Sequence, residues 1–507
     1  MASAYAPYLG WKLLRGELKP EASFPFGLAR PTESITHLTW IGRGVALAFA
    51  LMCVLGVFAI GRELWGRRVG FAGALAWLVT FPFSYYATTG NVDGPMLAWI
   101  SWALVFAAKA VRDTLSPKVA ITLGALVACV GATKDQGAGC FFLVGMALVL
   151  RHLLRGDAHR WWRLEGRWVS PLLAVASLVA TYSVVGGLIF SPHRFSKHLD
   201  TMLSVGARVG EQIYLRYPVT AHGVWLQTVD LANHLYDAVG GVNLALAFAG
   251  VVIALLRDRA ALVLAASSAG MFLVLLAPLY SKIQYVLPVA LPLCPFVGFA
   301  LDRIASKTRF SPVVWTGFAL LIAWRSFAVI DLAHARINDS RYEAAAWFES
   351  QARDGDTVVF FGADSNNTHM PARLRSVGVN YRAEGREVLA RVNPEFVLVQ
   401  PDGADENRRR IEWRVGPHSI RSTYVDDALW ADLTGGRTVY VLVAQFQTPR
   451  RFPWADRPNL AYPMVNPPVL IFARADRAEG MPPLEPWTTA PQNPPLRRAN
   501  EPPIHER

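Results

Sequence analysis

Ten stretches between residues 41 and 331 are apolar almost without interruption, at 41–61, 69–87, 93–111, 117–132, 137–154, 169–190, 241–257, 260–279, 284–303 and 311–331. Most reach the roughly 17 to 25 residues that a helix needs to cross the hydrocarbon of a bilayer. They predict about ten membrane spans. The pair 117–132 and 137–154 reads either as two spans or as a hairpin that does not fully cross. After residue 331 the pattern changes. A helix opens at Asp339 (DSRYEAAAWFESQARDG), and strand-like runs follow at 357–362, 395–400, 438–446 and 469–474. The predicted fold is therefore a polytopic α-helical membrane protein with a small C-terminal α/β domain. The expected domains are a juxtamembrane segment 1–35, a transmembrane part 36–332 with an outer loop 191–240, the α/β domain 333–475 and a disordered tail 476–507. Eight prolines and no apolar period after Ala475 support the last assignment.

Composition agrees with a bilayer. Of 507 residues, 53% are hydrophobic and 17% charged, and the seventeen tryptophans suit the interface between hydrocarbon and water. The net charge of +12 could suggest nucleic acid, but the arginines sit in short loops between apolar runs, so no nucleic-acid partner is expected. Loops 62–68, 109–118, 151–168, 257–259 and 302–310 hold 16 lysines and arginines, whereas 88–92, 133–136, 191–240 and 280–283 hold 6 over a greater length. The first set is thus cytoplasmic. Loop 191–240 and the α/β domain face outward, across a bacterial inner membrane. An even number of spans also places residues 1–40 outside, although Lys12, Arg15, Lys19 and Arg30 oppose export and no signal peptide precedes them. The expectation is a missing first span, with the chain starting at an internal methionine of a longer protein, or else an unusual export route. Cys53, Cys129, Cys140 and Cys294 lie in apolar runs without metal or disulfide spacing.

Candidate chemistry gathers at the outer ends of the spans. Asp93 stands in TTGNVDGP, Lys134 and Asp135 in GATKDQG, and Lys282 and Tyr285 in YSKIQYVLP. The outer loop adds His193, Arg194, Lys197, His198, Arg208, Tyr214, Arg216, Tyr217 and His222. A lipid-borne phosphate wants cations as charge-assisted donors, for which Lys134, Lys282 and Arg194 serve. An acceptor hydroxyl wants a base, for which Asp93 is best placed. Plainer readings stand beside these. Asp93 before Gly94 and Pro95 could be a helix cap, Lys134 and Asp135 could satisfy each other, and Lys282 could snorkel to the interface. His193 and His198, five apart, do not share a helical stripe and make a poor metal pair.

The order of these segments resembles the GT-C glycosyltransferases, in the subgroup of bacterial protein O-mannosyltransferases and aminoarabinose transferases. The resemblance runs from WIGRGVALAFALMCVLGVFAIGREL through WGRRVG, FPFSYYATTGNVDGP and GATKDQG to YSKIQYVLPVALPLCPF and DSRYEAAAWF, over roughly residues 5–475. It implies transfer of a sugar from a polyprenyl-phosphate carrier to a glycan, lipid or protein acceptor on the outer face. Asp93 matches the second acidic residue of the family's cavity, Lys134 and Lys282 match basic positions near the carrier phosphate, and Tyr285 accompanies Lys282. His193 and Arg194 are further substrate-binding candidates. The family's principal acid, expected about thirteen residues before the Leu-x-x-Gly turn ending at Gly16, would fall at Ala2 or Ser3 and is absent; Glu17, Glu21 and Glu33 do not fit its place. Were such an acid present upstream, Asp93 would orient the acceptor or share a divalent cation with it. No other cofactor is implied. A lipid or glycan transporter, a catalytically inactive truncated member of the family and a scaffold with a partner-binding outer domain are the alternatives.

Overall fold

The computed structural model describes residues 2–482 except 22–25, 114, 155–168, 208–216, 218–219, 259, 278–282, 308–310, 362–367, 369, 380–383, 401–412, 415–419, 422–424, 426, 456–464 and 468. The proline-rich tail expected at 476–507 lies largely outside these residues. The chain divides into two compact units, Met1–Val209 with Val219–Ser326, and Gly210–Pro218 with Phe327–Arg507.

All ten apolar runs are helical. In the first unit they form α2 (Pro31–Trp65), α3 (Arg67–Leu78) with α4 (Phe81–Tyr86), α5 (Asp93–Arg112), α6 (Pro117–Thr133), α7 (Gly139–Leu154), α8 (Val169–Val185), α11 (Gly241–Leu255), α12 (Ala261–Leu276), α13 (Leu287–Ala290) with α14 (Cys294–Lys307), and the start of α15 (Ser311–Ile337). Three more helices are α1 (Ala2–Leu14), α9 (Pro192–Ala207) and α10 (Ala221–Val239). Among the described residues, four helical stretches are long and apolar enough to cross a membrane, or five if the bent pair α10–α11 is one span. The others are shorter apolar helices, so ten full crossings exceed what length alone supports.

Several runs read as single spans are broken, and proline explains two of them. Pro82 has no N–H to give the turn before it, so the helix stops at Leu78 and restarts after an extended Thr80. Pro288, Pro292 and Pro295 divide 283–307 into short turns, α13 and α14. The described residues of the outer segment 191–240 hold α9 and α10, and α10 meets α11 at 107° through Gly240, whose φ of +85° favours a residue without Cβ. Close helix approach uses small residues. A Cβ on Gly124 of α6 would lie 2.1 Å from the Ala174 carbonyl of α8, so any side chain there would force the two helices apart.

The second unit carries a mixed sheet ordered β2-β1-β3-β7-β6. Its strands are β1 (Thr357–Phe361), β2 (Arg375–Val379), β3 (Phe396–Val399), β6 (Tyr440–Phe446) and β7 (Val469–Arg474); β4 (Trp413–Arg414) and β5 (Ile420–Arg421) pair separately. β1 is parallel to β2 and β3, whereas β7 is antiparallel to β3 and β6. One face packs Val359, Val397 and Phe472 against Leu389 of α17 (Gly385–Val392) and Leu429 of α18 (Asp427–Thr434). The other packs Phe360, Phe396 and Ile471 against Phe348 of α16 (Ser340–Gln351). Period-two alternation thus serves two apolar layers at once. The ladder between β6 and β7 shifts register between Leu442 and Ala444, a bulge in the edge strand. Asp339 caps α16, accepting from the Arg341 N–H at 3.1 Å.

One buried acid fixes the end of α15 in this unit. Asp331 is 0% exposed and accepts from the backbone N–H groups of Arg451 (2.8 Å) and Phe452 (3.3 Å), with the Arg450 guanidinium 3.2 Å away. The Phe327 and Phe452 rings meet beside it at a steep tilt, 59° between planes, with centroids 5.0 Å apart.

Candidate functional site

Asp93 begins α5, and its environment is set by the residues just before it. The Asn91 side chain accepts from the Asp93 N–H at 3.0 Å, an Asx turn that starts the helix. Gly94 allows the first turn to approach α4, where a Cβ would sit 3.3 Å from the Tyr86 carbonyl. The Asp93 side chain makes no capping bond, and the N-cap position is Val92. The plain reading of Asp93 as a cap is therefore incorrect. The reason is a competing partner: Lys134 Nζ donates to Asp93 Oδ1 at 2.6 Å.

Lys134 reaches Asp93 because α6 ends there. Its backbone N–H still bonds the Val130 carbonyl, but its own backbone is extended (φ −160°, ψ 116°) and its carbonyl accepts from Gly137. The side chain leaves the helix and returns over the start of α5. Its ammonium lies 5.0 Å from the centroid of the Tyr285 ring, in the turn Ile283–Val286. Asp93 is 3% exposed as a residue and the Lys134 side chain 21%, so the acid is sealed and the cation keeps one open side. Carboxylate, ammonium and aromatic ring, drawn from three segments far apart in sequence, converge at this point.

Other candidates fall elsewhere. Asp135 does not pair with Lys134; it faces His198 Nε2 of α9 at 3.2 Å, an exposed contact. His193 and Arg194 are exposed on α9, with neither an ion pair nor a hydrogen bond among the described residues. Lys282, Arg208, Tyr214 and Arg216 lie outside the described residues. Among the described residues no group of three or more His, Cys, Asp or Glu gathers as a metal site. Asp93 brings one carboxylate, already held by an ammonium, which is a poor donor set for a divalent cation.

The acids near the N-terminus have a different task. Lys12, 2% exposed, donates to Glu17 at 2.6 Å and lies 4.0 Å from Glu33. Their hydrogen bond raises the Lys12 ammonium above its ordinary value and lowers the Glu17 carboxylate. Asn91 escaped sequence reasoning, although its spacing two before Asp93 is an Asx-turn signal.

Comparison with known proteins places the pair in a matched segment. The family model described as dolichyl-phosphate-mannose-protein mannosyltransferase matches residues 33–184, which include both Asp93 and Lys134. No curated protein matches the chain. Among solved structures, ArnT from Cupriavidus metallidurans bound to undecaprenyl phosphate is similar at 14% identity, over 88% of this chain and 85% of that chain, with a TM-score of 0.43. The Archaeoglobus fulgidus oligosaccharyltransferase, tethered by a disulfide bond to an acceptor peptide containing the NVT sequon, is similar at 11% identity, over 86% and 77%, with a TM-score of 0.37.

Proposed function

We propose that this chain, whose residues 33–184 carry the sequence signature of the GT-C superfamily glycosyltransferases, moves a sugar from a polyprenyl-phosphate carrier to an acceptor at the extracytoplasmic face of a bacterial inner membrane. The observation that carries the reading is the sealed Asp93 carboxylate held at 2.6 Å by Lys134, both within that segment. In this reading the prenyl tail lies among the apolar helices. An ammonium has three donors; Lys134 gives one to Asp93 and, through its open side, another to the carrier phosphate. The Tyr285 ring restricts where that ammonium can sit. The acceptor hydroxyl oxygen attacks the anomeric carbon and its proton passes to Asp93. The bond between that carbon and the phosphate oxygen breaks, and its electron pair leaves with the phosphate. Lys282 supplies a second cation to the same phosphate, while His193 and Arg194 have no step. No step is routed through a divalent cation.

The test uses the full chain in lipid nanodiscs with undecaprenyl phosphate and an undecaprenyl-phosphate hexose. Native mass spectrometry should show the carrier bound, with at least tenfold weaker binding in Lys134→Met. In the presence of a bacterial membrane extract as acceptor source, carrier release should fall about a hundredfold or more in Asp93→Asn. Movement of the intact donor across vesicles without cleavage would instead establish the transporter reading. Full release by a well-folded Asp93→Asn protein would remove Asp93 from the reaction.

A further inference from the structure

Between β6 and β7 the chain makes a tight turn that the transfer reading does not use. The Ala455 N–H donates to the Phe452 carbonyl at 3.0 Å, which closes a four-residue turn with Pro453 and Trp454 at its tip. Proline at the second position presets the backbone angle that such a turn needs. Both tip residues are exposed, Trp454 at 60%, and so is Arg451 just before the turn. This tip is fixed in place. Asp331 of α15 accepts from the backbone N–H groups of Arg451 and Phe452, and the Arg450 guanidinium beside that carboxylate also donates to the Ala455 carbonyl. The rings of Phe327 on α15, Phe452 and Trp454 touch one another, with centroids 5.0, 5.5 and 6.4 Å apart and every pair steeply tilted.

The helix that holds the turn also sets its height in a bilayer. α15 belongs to a stretch long and apolar enough to cross a membrane. Residues 311–330 amount to about 30 Å of helix, the thickness of the hydrocarbon layer. Arg325 is the single charge among them, and it bonds the carbonyls of Asp237 and Ala238. Val313, Leu320 and Ile330 are exposed, as the lipid-facing positions of a span are. The hydrocarbon therefore ends within a turn of Asp331. Phe327 and Asp331 lie about 6 Å apart along the axis and bracket that level. Because Phe327 touches both Phe452 and Trp454, the tip of the turn stands at the same level.

Chemistry and height agree on the partner. An indole, apolar in body with one N–H, is most stable where acyl chains give way to headgroups. A guanidinium on a long apolar stem reaches the phosphates just above. A hydrophilic ligand such as a sugar would call for polar groups aimed out of the ring cluster, whereas Asp331 and Arg450 are engaged with each other and with the backbone. We propose that the turn 452–455 anchors the α/β unit to the bilayer, with Trp454 in the boundary between headgroups and acyl chains and Arg451 against the headgroup phosphates.

Trp454 is one of seventeen tryptophans, so its emission is read as the difference between wild type and Trp454→Phe. The full chain is placed in nanodiscs of phosphatidylethanolamine and phosphatidylglycerol, with acyl chains either plain or brominated near the headgroup. Bromine should lower the difference emission about twofold or more, as for an indole at the lipid boundary, while aqueous acrylamide should change it little. Should Trp454→Phe lose the native melting temperature, Trp454→Tyr supplies the difference instead. Emission quenched by acrylamide but not by brominated lipid would place Trp454 in water and overturn the proposal. Emission that answers to undecaprenyl-phosphate hexose but not to bromine would make the turn a substrate contact and overturn it as well. The same quenching is expected in Lys134→Met, since the anchor does not rest on the transfer reading.

Discussion

Lys134→Met removes the ammonium while keeping most of the stem, and leaves the Asp93 carboxylate 3% exposed with its 2.6 Å partner gone. Breaking a buried pair from one side costs about 3–5 kcal/mol because the surviving charge is stranded. The 21% exposure of the Lys134 side chain lets water reach part of the space vacated, so the lower end, about 3 kcal/mol, is expected. Asp93→Asn strands the ammonium instead, which can turn towards its open side and should cost less, about 1–2 kcal/mol. In the double variant neither charge remains, and most of the loss should return. The thermodynamic cycle should therefore show a coupling of about 2–3 kcal/mol. The assay is reversible unfolding in mixed micelles of the four proteins, followed by circular dichroism. Donor cleavage measured alongside separates structure from chemistry: the double variant should regain stability without regaining turnover. Effects that add to within about 0.5 kcal/mol would mean that the two groups do not interact, and the site as drawn here would be wrong.

Three further expectations concern the rest of the molecule. If the basic-residue asymmetry sets the sides, Ser350→Cys in α16 is labelled by an impermeant maleimide in intact cells and Ser306→Cys at the end of α14 is protected; the reverse pattern would invert the topology. Asp331→Ala leaves two backbone N–H groups and the Arg450 guanidinium without their acceptor, so the α/β unit should lose about 2–4 kcal/mol, seen as earlier proteolysis of its segment 447–455. Asp432 is held below the ordinary carboxylate value of 3.8 by hydrogen bonds from Arg437 and then Arg386. A depressed acid stabilises the fold above its unfolded value and ceases to as pH falls through the folded one, so amide exchange in α17 and α18 should quicken below about pH 4 in wild type and lose that acid dependence in Asp432→Asn.

The sequence carried most of the helix positions because apolar runs survive any tertiary arrangement. It was less informative where one run must turn. The breaks at Thr80 and within 283–307 follow from Pro82, Pro288, Pro292 and Pro295, which were visible but outweighed by hydrophobicity. α10 was absorbed into an outer loop because Gln227, Asp230, Asn233 and His234 dilute its apolar face. In the sheet, β1, β3, β6 and β7 announce themselves through buried aliphatic residues, whereas β2 (RSVGV) has Arg375, Ser376 and Gly378 in five positions and passes for a loop. Asp93, Lys134 and Tyr285 could be named from residue type and position at the span ends. Their contact could not, since nothing local signals that a lysine leaving α6 will fold back 41 residues onto Asp93. The Asp331 acceptor site was hidden for the same reason, its partners lying more than a hundred residues away.

The register shift in β6 has a bearing on how crowded copies of this protein coexist. β6 is the outermost strand on its side of the five-stranded sheet, and the outer strand of a sheet is a template for pairing with a neighbour's strand. The extra residue between Leu442 and Ala444 splits that template into two short pieces of three residues each, Tyr440–Leu442 and Ala444–Phe446, out of step with one another. A foreign strand that matches one piece misses the other, so edge-to-edge association between copies ends after a few hydrogen bonds and a run as apolar as YVLVAQF can stay at the end of the sheet without nucleating fibres.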